Sequence, residues 1–148
     1  MADRVGPPAP RPCSSCPYRR DVPSGVWHAS EYEKLRAYDR PTMEQPPQVF
    51  LCHQHNRGAD NARVCAGWAG VHDGAHLLAL RIAAMDGRMT VGDVHVTVDY
   101  MSPVPLFSSG AEAAAHGLAD VHAPGRRAVR AMAKITRVRD DLITDDEE

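Results

Sequence analysis

The sequence predicts a small α+β domain, mainly short helices with a few short strands, and three observations carry that expectation. Helix-start patterns recur along the chain, as in "SEYE" and "SGAE", where a serine precedes a glutamate by three residues. The stretch "VHVTVDY" sets Val94, Val96, Val98 and Tyr100 in strict alternation with polar residues, the period of a strand with one buried face. Four cysteines all fall before residue 66, so loops tied by a four-cysteine metal site compensate for a core with only 5% aromatic residues.

At 148 residues the chain suits one domain. Residues 1–12 are proline-rich and aperiodic, which predicts a disordered arm. The single metal-stabilised domain is expected over 13–139. Ser30 and Glu33 predict a helix over 31–38, and the three prolines of 39–48 predict a loop. "VFLC" reads as a short buried strand that delivers Cys52 to the interior. The polar, turn-rich residues 53–63 then lead to Cys65. Asp73 predicts a helix running through Met85, with Val71, Ala75, Leu78, Ile82 and Met85 on one side. Beyond the expected strand, Ser109 and Glu112 predict an alanine-rich helix ending near Gly117, and Pro124 opens a last helix over 124–138. On that helix Val129, Met132 and Ile135 are expected to face inward, with Arg126, Arg130, Lys134 and Arg137 along another side. Six of the 19 acids lie in 140–148, an acidic tail expected to be disordered. Residues 1–139 keep 17 basic against 13 acidic side chains, a net +4.

No apolar run is long enough for a membrane span and the start lacks the apolar middle of a secretory signal, so a cytoplasmic protein with no membrane contact is expected. Cytoplasmic thiols are kept reduced, which turns a fixed cysteine pattern towards metal or catalysis. Cys13, Cys16, Cys52 and Cys65 form C-x2-C-x35-C-x12-C. Four thiolates complete a tetrahedral shell, and a C-x-x-C turn places two of them on one cation without strain. Zn²⁺ is favoured. The alternative is a [4Fe-4S] cluster, which uses the same four thiolates and is compatible with the Cys16-Pro17 step. His53 and His55 are candidate substitute ligands or outer-shell donors. A C-x-x-C thiol redox couple is a further alternative, but Cys13 follows a proline-rich stretch and not a strand leading into a helix. His72 and His76 stand four apart, as in H-E-x-x-H zinc proteases, yet Asp73 replaces the glutamate that acts there as base. No nucleophile triad or phosphate-cradling glycine loop stands out, so an enzyme ranks last.

With "CSSCPYR", "FLCH" and "CAGW" together, the chain resembles a bacterial and bacteriophage family of small cysteine proteins with the motifs C-x-x-C-P-aromatic-R, aromatic-x-C-H and C-x-G-Trp or His. The match covers about residues 12–85. Cys13, Cys16, Pro17, Tyr18, Arg19, Cys52, His53, Cys65, Gly67 and Trp68 occupy its motif positions. The resemblance implies a shared cysteine-centred site and brings no assigned activity. "GWAG" is also similar to the closing turn of actinobacterial iron-sulfur transcription regulators, whose C-x-x-C lies instead in the middle of the cysteine set.

The expected function is that of a binding or regulatory module for nucleic acid or a protein, with Arg19, Arg20, Arg126, Arg130 and Lys134 as contacts for an anionic partner. The alternative is a redox- or gas-sensing regulator built on the cluster.

Overall fold

The computed structural model describes residues 4–52 and 62–138. Its α-helices are α1 (Ala29–Glu33), α2 (Ala66–Val71), α3 (Leu78–Asp86), α4 (Val91–Val98), α5 (Gly110–Ala119) and α6 (Arg126–Val138), with 3₁₀ turns at Lys34–Asp39, Thr42–Glu44 and Gly74–His76. The expected α+β class is corrected to an all-helical one. Among the described residues no strand forms, and backbone pairing outside helices and turns reduces to isolated bridges, Gly6 with Arg63, Arg19 with Leu106 and Leu51 with Val64. "VFLC" is therefore a bridge segment: Cys52 N–H donates to Arg63 O and Cys65 N–H to Phe50 O, both at 2.9 Å.

"VHVTVDY" is α4, and the reason lies at its start. Gly87 at φ 79° ends α3 in the left-handed region, and Thr90 Oγ1 then accepts from Asp93 N–H at 3.0 Å, capping a new helix. Val91, Val94 and Val98 satisfy helical spacing as well as Val94, Val96 and Val98 satisfy a strand. Val94 and Val98 pack on the core, whereas Val96 is 53% exposed. Thr97, fully buried, donates Oγ1–H to Asp93 O within the helix.

The other helices keep the expected order with shifted details. α1 is capped by His28, whose Nδ1 accepts from Ser30 N–H, so Ser30 lies inside the helix it was expected to cap. The expected helix from Asp73 splits into a capped 3₁₀ turn and α3. Leu77, Ala79, Leu80 and Ala83 are its buried residues, while Met85 of the expected stripe is 86% exposed. α5 has its expected box: Ser109 Oγ accepts from Glu112 N–H, and the Glu112 carboxylate accepts from Ser108. It packs on α1 and the turn after it, Gly117 lying where any Cβ would enter the Tyr32 ring. Tyr32 in turn accepts at its hydroxyl from Val26 and Trp27 N–H. On α6 Ala128 and Ile135 are buried and Met132 packs on the core as expected, whereas Val129 is half-exposed.

Residues 4–12 of the expected arm run along the body. Val5 N–H donates to Arg88 O, Tyr100 Oη–H to Pro10 O, and Pro12 is fully buried. The acidic stretch 140–148 lies outside the described residues. No helix among the described residues is long and apolar enough to cross a membrane.

Candidate metal centre

Two short turns carry the first cysteine pair. Cys16 N–H donates to Cys13 O at 3.0 Å and Arg19 N–H to Cys16 O at 3.1 Å, which folds "CSSCPYR" back on itself. Three contacts pin the loop. Trp27 Nε1–H donates to Ser15 O, Arg19 holds Pro12 O and makes a two-pronged pair with Asp21, and Phe107 N–H donates to Tyr18 O. Cys65 stands at the residue before α2, opposite Phe50, and Cys52 lies on the same bridge segment opposite Arg63.

All four cysteines are free thiols, Cys16 and Cys65 buried and Cys13 and Cys52 half-buried. Cys16 Sγ and Cys65 Sγ lie 3.7 Å apart although 49 positions separate them. Cys13 Sγ lies 3.8 Å from Ser15 Oγ, and the thiols of Cys16 and Cys52 are near enough to shift its titration. Among the described residues no group of three or more His, Cys, Asp or Glu side chains is arranged to hold a metal ion. His53 and His55 lie outside the described residues.

The chemistry of these thiols follows from their surroundings. The Cys13 thiol is pushed up to about 11, first by its hydrogen bond to Cys16 and then by burial, against the lowering contact with Cys52. For Cys16 the bond from Cys13 favours the thiolate, but the bond to Cys65 and burial outweigh it and hold the thiol well above its ordinary range. A reactive redox thiol needs the opposite shift. Cations that bind thiolate displace the protons and supply the missing compensation.

A shell of rings closes over the sulfurs. Tyr18, Tyr38, Phe50, Trp68 and His72 pack edge to face or tilted, with ring centroids 5.4 to 6.4 Å apart. Tyr18 is fully buried and its hydroxyl is held far above the phenol range by burial first, then by the thiols of Cys65 and Cys16. Tyr18 Oη, Trp68 Nε1 and His72 Nε2 have no hydrogen-bond partner. Of these residues, Tyr18 and Trp68 stand in the cysteine motifs, whereas Tyr38 and His72 gave no site signal in the sequence beyond the His72–His76 spacing. That histidine pair does not form a site: His76 is exposed at 70% of its side chain and pairs loosely with Asp73 at 3.5 Å, while His72 is enclosed at 8%.

The basic residues divide. Arg19 is taken by Asp21 and Pro12, and Arg20 by Glu112 and Leu106 O with its guanidinium 5.2 Å over the Phe107 ring. Arg126, Arg130 and Lys134 are exposed at four-residue spacing on α6.

The chain is a member of the family of unknown function DUF6283, whose model matches residues 8–139. No curated protein and no solved structure matches it.

Proposed function

We propose that this protein is a cytoplasmic metal-binding module in which Cys13, Cys16, Cys52 and Cys65 hold one Zn²⁺. The observation that carries the reading is the 3.7 Å approach of Cys16 Sγ to Cys65 Sγ. Thiolates at about 2.3 Å from a tetrahedral zinc stand about 3.8 Å from one another, so this pair already has the spacing of one edge. Cys13 shares the C-x-x-C turn with Cys16, whose N–H donates to Cys13 O at 3.0 Å, and such a turn can present both sulfurs to one cation. A cubane cluster takes one thiolate per iron and spreads its four sulfurs further, which favours the mononuclear ion. Zinc here does structural chemistry. It ties the C-x-x-C loop to the start of α2 and to the bridge segment, and a closed four-thiolate shell leaves no position for substrate.

Function then lies in binding, and the exposed line Arg126, Arg130 and Lys134 on α6 supports an anionic macromolecule, nucleic acid foremost, as the partner. Elemental analysis and an absorption spectrum of protein purified without air test the metal. Colourless protein with one zinc per chain, lost in Cys16→Ser and in Cys65→Ser, is the expected result. A brown protein carrying iron replaces zinc by the cluster, and thiols that take up neither zinc nor cobalt overturn the centre altogether. Salt titration of oligonucleotide binding tests the partner: affinity falling steeply with ionic strength, and weakened in Arg130→Gln with Lys134→Gln, is expected. No measurable affinity at low salt removes nucleic acid.

A further inference from the structure

A second site lies beside the bridge segment, where three chain segments meet. Val5 N–H donates to Arg88 O at 3.0 Å, Gly6 N–H to Ala62 O at 2.9 Å and Val64 N–H to Gly6 O at 3.0 Å, so residues 4–6, 62–64 and 88–90 are pinned together by their backbones. Each segment contributes one arginine to a cavity of about 320 Å³ lined by Arg4, Arg63, Arg88, Thr90 and Asp93 among others. The Nε atoms of Arg63 and Arg88 are buried without a hydrogen-bond partner. No ion pair among the described residues involves any of the three arginines.

We propose that this cavity binds a phosphate dianion, free or as the terminal group of a small phosphomonoester. Guanidinium N–H groups deprived of water need acceptors, and none of the described residues supplies one to these two Nε atoms. A tetrahedral oxyanion offers several acceptor oxygens to forks approaching from different directions. Three guanidiniums against the Asp93 carboxylate leave a local charge of +2, which matches a dianion. Thr90, at the cap of α4, adds a hydroxyl whose lone pair serves Asp93 N–H while its proton remains free to donate. The volume falls at the lower end of ligand cavities, about 300 Å³, which is room for a phosphate with a sugar-sized group. The pocket adjoins the metal centre through Arg63, whose carbonyl accepts from Cys52 N–H, but phosphate binding is read apart from metal content, so the failure of one reading does not decide the other.

Isothermal titration calorimetry of the full chain with inorganic phosphate, with ribose 5-phosphate and with ribose as neutral control tests the proposal. Saturable one-to-one binding of at least one of the two phosphates, with none of ribose, is expected. Arg63→Gln and Arg88→Gln should each weaken it tenfold or more, about 1.4 kcal/mol, with circular dichroism as a check on folding. Arg4→Gln, at an exposed position, tests the same pocket without touching a buried side chain. Arg36→Gln, on the 3₁₀ turn after α1, should leave binding unchanged. Tighter binding of the ester identifies a phosphomonoester as ligand, and equal or tighter binding of phosphate identifies the free ion. Absence of saturable heat with either phosphate overturns the proposal, as does binding that survives both Arg4→Gln and the double Arg63→Gln, Arg88→Gln variant.

Discussion

Gly67 is where sequence, packing and the thiol cluster meet in one atom. A Cβ there would fall inside the Cys16 sulfur and lie 2.8 Å from Tyr18 Cβ, so α2 can approach the C-x-x-C loop only because residue 67 has no side chain. Gly67→Ala must push Cys16 away from Cys65 or lift α2 off Tyr18, and overpacking of this kind costs about 1–3 kcal/mol. A lowered urea midpoint with an unchanged slope, together with weaker zinc retention, is the expected outcome. Wild-type stability in both measurements would mean that the sulfur contact does not constrain the fold. The approach of Cys65 to Cys16 agrees with the shared cysteine-centred site that the resemblance of "CSSCPYR" and "CAGW" to the family motifs implies. The partners of Arg19 and Arg20 were not, since an ion pair with Glu112 joins residues 92 positions apart.

At the scale of elements, α4 shows how one pattern serves two periods. Four apolar residues at 94, 96, 98 and 100 fit a strand, but Val91, Val94 and Val98 fit a helix, and the Thr90 cap with the left-handed Gly87 before it decides between them. The cap signal was present in "TVGD", where threonine precedes aspartate by three, yet alternation outweighed it. Ser109 and Glu112 of α5, by contrast, had no competing period, and the Ser109 cap is found as expected, with the Glu112 carboxylate on Ser108 in place of the cap residue's own N–H. Val96 gives a direct discriminator. It is 53% exposed on a helix, so Val96→Ala removes a β-branched residue from an exposed helical position and should stabilise by about 0.5 kcal/mol. In a strand the same change is destabilising. A thermal midpoint that falls would speak against the helix. The expected helix from Asp73 failed in a different way: its register was read from Val71 onward, but a 3₁₀ turn at Gly74–His76 rotates the frame, which buries Leu77 and Leu80 and releases Met85.

For the whole molecule the core beside the thiols and the metal proposed to bind them make different predictions. Structural zinc contributes roughly 10–16 kcal/mol in small domains, comparable to the 5–15 kcal/mol total stability of a typical fold. Removing it with a chelator should therefore lower the thermal midpoint by far more than any point substitution above. The core itself carries a pH dependence through His72. Its ring is enclosed by Tyr18, Tyr38 and Trp68, and burial lowers its pKa below the ordinary 6.5. Asp39 opposes this from 3.9 Å, but both of its oxygens already accept from the first N–H groups of α5, Gly110 at 2.8 Å and Ala111 at 2.7 Å. Burial outweighs Asp39, and His72 is neutral in the folded protein at neutral pH. Because the unfolded chain takes up this proton first, the contribution of His72 to stability is fully present above pH 6.5 and is lost as pH falls below it towards the folded value. The thermal midpoint of the intact protein should decline from about pH 6.5 downward, and His72→Phe, which keeps a planar ring but cannot charge, should flatten that decline. An identical slope in the variant would assign acid sensitivity to other groups and return His72 to a purely packing role.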